Sequence, residues 1–219
     1  MQDQPYPTRS ETRQWYDRLS RWYDYVSSPW EGPFRRMGLQ ALDLQEGERV
    51  LELGPGTGHG LVTLARAAGS SGLVCGLDLS PGMLSVAGQR LRKQSLSANV
   101  SLVVGDAGDL PFPKDSFDAL FASFVIELFD AQEIPILLAG CRAVLRPGGR
   151  LCAVSLSAGG RSWFMRQLYQ QAQGRFPKLI DCRPIQLAQA LEAAGFELRS
   201  QTMRSSLDLP VEIIVAVKG

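Results

Sequence analysis

One stretch constrains the chain more than any other: Val50-Leu51-Glu52-Leu53-Gly54-Pro55-Gly56-Thr57-Gly58-His59-Gly60. It opens as an apolar strand carrying one acid and runs into a glycine-rich turn. A helical pattern of Leu61, Val62, Leu64, Ala65 and Ala68 follows. A strand that meets a helix through glycines lets a ligand lie against bare backbone, beside the helix's free N–H groups. The dinucleotide spacing G-x-G-x-x-G would put its last glycine at position 59, where this chain has His59. The spacing here is G-x-G-x-G, with Glu52 two residues before Gly54. A carboxylate at that point repels a pyrophosphate and suits a ligand bearing an ammonium group. The plainer reading is a strand-to-helix turn that needs glycines and binds nothing.

Further along, Leu73 to Asp78 reads as a second strand ending on an acid. Such an acid can accept hydrogen bonds from both hydroxyls of a ribose. Each charge-assisted bond is worth about 1.5–3 kcal/mol. Alternatively, Asp78 only caps the helix that begins at Ser80-Pro81, whose inner face carries Met83, Leu84, Ala87 and Leu91. Val100 to Val104 gives a third strand, followed by Gly105-Asp106-Ala107-Gly108-Asp109-Leu110-Pro111-Phe112. Ser116 to Phe124 gives a fourth, and its end, from Ser123 to Phe129, should lie over any site, because ligands bind at the carboxyl ends of parallel strands.

Glu52-Leu53-Gly54-Pro55-Gly56-Thr57-Gly58 resembles the first motif of class I S-adenosylmethionine (SAM) methyltransferases, and Leu77-Asp78-Leu79-Ser80-Pro81-Gly82-Met83-Leu84 is similar to their second. The phrase from Asp106 to Phe112 and the Leu-Arg-Pro-Gly-Gly-Arg-Leu turn from Leu145 to Leu151 resemble the same branch. The resemblance covers the chain from about Trp15 onward. It implies a SAM site with Glu52, Gly54, Pro55, Gly56 and Gly58 under the methionine portion. It adds Asp78, Leu79 and Met83 along the second strand and helix, Asp106 and Ala107 at the adenine, and Ser123 at the end of the fourth strand.

Within that branch, the aromatic-Tyr-Asp pattern at Trp22-Tyr23-Asp24 and the Pro33-led segment Phe34, Met37, Ala41, Leu42 look like the N-terminal cap of the ubiquinone/menaquinone C-methyltransferases (methyltransferase type 11). The resemblance implies that Tyr23 sits near the cofactor and the acceptor pocket. The chain departs from the pattern at Ile126-Glu127-Leu128, where quinone enzymes commonly carry Arg and many sister enzymes His. A carboxylate there, in a largely apolar pocket, could take a proton from an acceptor hydroxyl or amine. An ordinary surface acid at a helix start is the other reading.

Composition removes several classes. The 23 basic and 22 acidic side chains among 219 residues nearly cancel, so bulk charge does not suggest nucleic acid. The four cysteines, Cys75, Cys141, Cys152 and Cys182, lie far apart with no C-x-x-C pair, which fits buried thiols of a reducing compartment. His59 is the only histidine, which excludes a His-rich metal site. No apolar run approaches the roughly 20 residues of a membrane span. The polar N-terminus lacks a signal-peptide core.

Trp15, Leu19, Trp22 and Val26 are expected on one face of a single N-terminal helix, and residues 1–14 are expected to be mobile. Between Arg161 and Arg183 the strand-helix alternation pauses, with five basic residues against Asp181 and aromatics among them. That segment is expected to roof the acceptor pocket, with an anionic-lipid contact as the alternative. A helix from Pro184 to Ala194 and two strands, near Phe196–Thr202 and Val211–Val217, close the chain.

The expectation is one α/β domain over 15–219, Rossmann-like, with caps at 15–42 and 161–183. Its mostly parallel seven-stranded sheet should have helices on both faces and an antiparallel last strand. The expected function is methyl transfer from SAM, leaving S-adenosylhomocysteine, without metal. The acceptor is small or lipid-like, a quinol precursor on resemblance, with phosphatidylethanolamine N-methylation or non-catalytic SAM binding as alternatives. Tyr23 and Glu127 are the candidate catalytic residues. The expected location is cytoplasmic, with peripheral membrane contact through the basic segment.

Overall fold

The computed structural model describes residues 8–20, 22–26, 28–96, 98–158, 184–206 and 209–219. The second expected cap, 161–183, lies outside the described residues, as do residues 1–7 and Cys182.

Seven strands form one sheet: β1 (Arg49–Leu53), β2 (Leu73–Asp78), β3 (Val100–Val104), β4 (Phe117–Ser123), β5 (Leu145–Leu156), β6 (Phe196–Ser206) and β7 (Leu209–Lys218), in the order β3-β2-β1-β4-β5-β7-β6. The first five run parallel, while β7 pairs antiparallel with both β5 and β6. The sheet reverses direction of growth between β1 and β4, so the chain crosses from one half to the other there. That switch point opens a crevice at the carboxyl ends of the strands.

Alternation along the strands sends successive side chains to opposite faces. Val50, Val74, Phe121, Val154 and Ile213 form one core with Leu61 and Leu64 of α4 (His59–Ala68), Ala87 and Leu91 of α5 (Pro81–Lys93), and Phe34 and Leu42 of α3 (Ser28–Leu42). Leu51, Leu53, Leu120, Leu151 and Ile214 form the other. They pack against Leu137 and Leu138 of α6 (Ile134–Val144) and Leu187 and Leu191 of α7 (Leu187–Ala193). Cys75, Cys141 and Cys152 are buried free thiols in these two layers.

Three departures from the sequence reading have local causes. Helix α1 (Arg9–Leu19) begins inside the segment expected to be mobile. Thr8 and Glu11 form a reciprocal capping box that holds its first turn. The expected single aromatic helix is broken after Leu19. The Trp22 amide closes a tight turn onto the Leu19 carbonyl (2.8 Å) before α2 (Tyr23–Val26) starts, and Trp22 is left 66% exposed rather than on a shared apolar face. At the other end, α6 stops at Val144, ahead of Arg146-Pro147-Gly148-Gly149. Leu145 pairs with Phe117 and Arg150 with Ala119, so the Pro-Gly-Gly residues bulge out within β5, with Gly148 at φ +74°.

Candidate functional site

The glycine loop owes its shape to three left-handed residues, Gly54 (φ +56°), Gly56 (φ +53°) and Gly58 (φ +84°), a conformation that side chains with a Cβ resist. The three are not equivalent. A Cβ on Gly58 would meet the Ala87 Cβ at 2.7 Å and its Cα at 2.9 Å, so this glycine lets α4 and α5 close up. A Cβ on Gly56 would meet nothing within 4 Å and would project into open space. Gly54 is held by its amide, which donates to the Leu77 carbonyl at 2.9 Å.

Asp78, at the end of β2, ties the loop to the next strand. Its Oδ2 accepts from the Gly56 amide (3.0 Å) and its Oδ1 from the Ser80 amide (2.9 Å). Burial pushes its carboxyl up to about 6 despite those two donors, and the nearby Asp17 adds to the rise. Asp78 therefore does more than cap α5; the capping contact itself comes from Ser80, whose hydroxyl accepts from the Met83 amide at 3.1 Å. One strand over, Asp106 closes its own turn by accepting from the Gly108 amide at 2.8 Å.

These elements surround one cleft, with about 730 Å³ of non-atom space including its mouth. Of the residues expected at the site, Gly54, Gly56, Asp78, Leu79 and Met83 line one side. Asp106, Ala107 and Ser123 line another, and Tyr23 leans in from α2. The Ser123 hydroxyl is buried and has no hydrogen-bond partner among the described residues. Phe124, which follows it, is forced to φ +57° and packs on Trp30 and Phe34. The Tyr23 hydroxyl donates to Glu31 of α3 at 3.3 Å.

Glu52, Pro55, Gly58 and Glu127 do not line the cleft. Glu52 lies beneath the loop, 3% exposed, against Gly60. Its Oε2 has no hydrogen-bond partner among the described residues, and burial drives its carboxyl up to about 8, partly offset by Arg35. Glu127 is not a surface acid. It is fully buried on a single 3-10 turn (Ile126–Leu128), where its Oε1 accepts from the Leu156 amide at 3.1 Å. Its Oε2 is unpartnered among the described residues. Burial raises it to about 8, with Glu31 contributing in the same sense. Val125, two residues before it, and Leu128, directly after it, line the cleft.

His59 does not line the cleft. It bridges Asp24 (Nε2 to Oδ1, 3.2 Å) and Arg90 (3.3 Å), and burial lowers its basicity, with Arg90 acting the same way. Asp24 also accepts from the Thr57 hydroxyl at 2.5 Å and pairs with Arg90, whose Nε donates to the Thr57 carbonyl at 2.8 Å.

Sequence reasoning missed the part of α1 that roofs the cleft. Arg9, Thr12 and Tyr16 line it. Asp17 accepts from the Ser80 hydroxyl (2.5 Å) and the Gly82 amide (2.9 Å), and Arg9 Nε pairs with Asp106 Oδ2 at 2.9 Å. The spacing Thr8-x-x-Glu11 was a readable signal that a helix starts there.

This donor set fits SAM. Two carboxylates stand at the ends of neighbouring strands, where a nucleoside presents hydroxyls and an amine. The space in front of Gly56 admits close approach to backbone, and Glu52 puts an acid behind the loop. Among the described residues no group of three His, Cys, Asp or Glu is placed to hold a metal ion, and no helix is long and apolar enough to cross a membrane.

Comparison with known proteins agrees with this geometry. A family model described as a methyltransferase domain matches residues 50–149. The chain is 37% identical over 141 residues to the 2-phytyl-1,4-naphtoquinone methyltransferase of Synechococcus elongatus. That match covers 64% of this chain and 58% of that protein, so the alignment spans somewhat over half the relative's length. It is 32% identical over 182 residues to the demethylmenaquinone methyltransferase of Tropheryma whipplei, covering 80% of this chain and 72% of that protein. Among solved structures, the cyclase SpnF superposes with a TM-score of 0.75 at 22% identity, over 98% of this chain and 97% of that one, which speaks to the fold alone. The chain belongs to the class I SAM-dependent methyltransferases, in the family of the ubiquinone/menaquinone C-methyltransferases.

Proposed function

We propose that the chain is a SAM-dependent methyltransferase acting on a small, flat, quinone-type acceptor. The observation that carries this reading is the pair Asp78 and Asp106, set at the ends of adjacent strands above a glycine loop whose central residue faces open space. The relatives named for naphthoquinone and menaquinone precursors supply the acceptor class.

Bound SAM would supply a methyl group already activated on a sulfonium, so the chain's task is alignment. Asp78 receives the ribose hydroxyls, Asp106 the adenine amine, and Gly54 and Gly56 let the methionine portion lie against backbone. Leu79, Met83 and Ala107 give apolar walls for the base. Holding the acceptor atom in line at about 3–3.5 Å supplies roughly 7–11 kcal/mol of the barrier reduction. Tyr23 and Ser123 line the same cleft, and the buried Ser123 hydroxyl, unpartnered among the described residues, is left to pair with a bound ligand.

Glu127, the sequence candidate for proton acceptor, is sealed behind Val125 and Leu128, which line the cleft. Raised to about 8, it holds its own proton at neutral pH, and its role is to hold the cleft wall through Leu156. An acceptor with an apolar tail would bring the protein to a membrane surface, where the basic, aromatic segment 161–183 provides contact.

The test is calorimetric titration of SAM, S-adenosylhomocysteine and NAD, followed by methyl uptake from labelled SAM into demethylmenaquinol and into phosphatidylethanolamine vesicles. Binding of both sulfur ligands with labelling of the quinol supports the reading. Labelled phospholipid would move the acceptor class. Binding of NAD alone would overturn the whole assignment.

A further inference from the structure

Three contacts tie the N-terminal helices to the cleft, one on each loop. Asp24 holds Thr57 of the glycine loop, Asp17 holds Ser80 and Gly82 after β2, and Arg9 holds Asp106 after β3. The first two take atoms that a ligand in the cleft does not need. The third takes the outward oxygen of Asp106, whose other oxygen is committed to Gly108. We propose that Arg9 is an affinity-setting latch on the cofactor site: its guanidinium and the exocyclic amine of an adenine ligand compete for Asp106 Oδ2, and binding exchanges one for the other. This rests on the SAM reading above, which puts the adenine amine at Asp106.

The surroundings make the exchange cheap. Arg9 also donates to Glu133 at 3.0 Å and lies over the Phe129 ring at 4.2 Å, so it has two partners left when it releases Asp106. The Arg9–Asp106 pair is about one-third exposed on both sides, a regime in which ion pairs are weak and screened by salt. The helix does not have to detach. Asp17 pins α1 at a point eight residues on, roughly 12 Å along the axis, and the capping box keeps the first turn wound. The release is a swing of the first turns about the Asp17 anchor.

The experiment compares wild type with R9Q and R9K by S-adenosylhomocysteine titration and by hydrogen exchange of residues 9–14. At low ionic strength R9Q should bind roughly three- to fivefold more tightly than wild type, with R9K between them, and the gain should shrink towards none in 1 M salt. In wild type the ligand should lower protection of residues 9–14, and R9Q should show that lower protection without ligand. Equal or weaker binding by R9Q, or a ligand-induced rise in protection, would overturn the latch. Failure of the ligand to bind any of the three proteins would strike the SAM reading and the latch with it, whereas equal binding by wild type and R9Q strikes the latch alone.

Discussion

The floor and the roof of the cleft are built on different physics. The floor is main chain: three left-handed glycines, amides donated to Asp78, and strand ends fixed by the ladder on either side. Its polar groups are largely withdrawn from water, where a hydrogen bond to a charged group is worth about 1.5–3 kcal/mol. The roof is side chain. Arg9, Asp17 and Asp24 reach across from short helices, each about one-third exposed, and comparable pairs in solvent are worth about 0–1 kcal/mol. A floor of that kind is fixed before any ligand arrives, while the roof can trade contacts at little cost. The difference between the two walls is the difference between recognition and access.

Experiments that break the floor should have the largest effects. Asp78→Ala removes the acceptor shared by Gly56 and Ser80 together with two ligand hydrogen bonds, so S-adenosylhomocysteine affinity should fall about 100-fold or more by calorimetry. Because Asp78 gains its proton near pH 6, wild-type affinity should itself weaken up to roughly tenfold between pH 7 and 5.

The loop glycines sharpen the point within the floor. Gly58→Ala combines a left-handed backbone with a 2.7 Å clash on Ala87, and should cost roughly 2–4 kcal/mol, seen as a Tm lower by about 10 °C. Gly56→Ala carries only the backbone cost of about 1–2 kcal/mol, yet its methyl enters the cleft, so binding should suffer more than stability.

Two buried glutamates behind the cleft link the fold to pH. Glu52 and Glu127 rise from 4.5 to about 8 on folding, so the folded chain holds more protons than the unfolded one between those values. Their contribution to stability is complete below about pH 4.5 and is lost as pH climbs through 8. The Tm should fall from pH 6 to 9. Glu127→Gln keeps the acceptor for Leu156 and should flatten the slope, adding on the order of a few kcal/mol at the alkaline end. The smallest effect belongs to the roof. Asp24→Ala frees Thr57, His59 and Arg90 at once but from a position about one-third exposed, and should lower Tm by about 2–4 °C with a few-fold weaker ligand binding.

What the sequence disclosed follows the same division. Strand ends and glycine turns carry their geometry in a few adjacent residues, so β2 and β3 and the acids behind them could be bounded from the chain alone. Asp78 and Asp106 needed no knowledge of distant residues to be singled out. The roof depends on pairs remote in sequence, such as Arg9 with Glu133, and no local pattern announces them. The break after Leu19 was hidden because the aromatic periodicity continues past it, and only the turn bond from Trp22 shows the chain changing direction. Glu127 was ambiguous for a similar reason. An acid flanked by Ile126 and Leu128 reads equally well as a helix start or a buried group, and the groups that act on it, the Leu156 amide and Glu31, lie on other elements.

The three clasps of the roof also impose an order of assembly. The N-terminal helices precede their partners, so Asp24 must wait for Thr57, 33 residues downstream, Asp17 for Ser80, 63 downstream, and Arg9 for Asp106 and last for Glu133, 124 downstream. At about 5–20 residues per second, a ribosome separates the first closure from the last by several seconds. The segment is therefore fastened from its inner end outwards as the chain emerges, and Arg9 is the final button. Until Asp17 meets Ser80, α1 is nascent chain open to chaperones and proteases, and the cofactor cleft cannot be roofed before the whole first half of the sheet has been made.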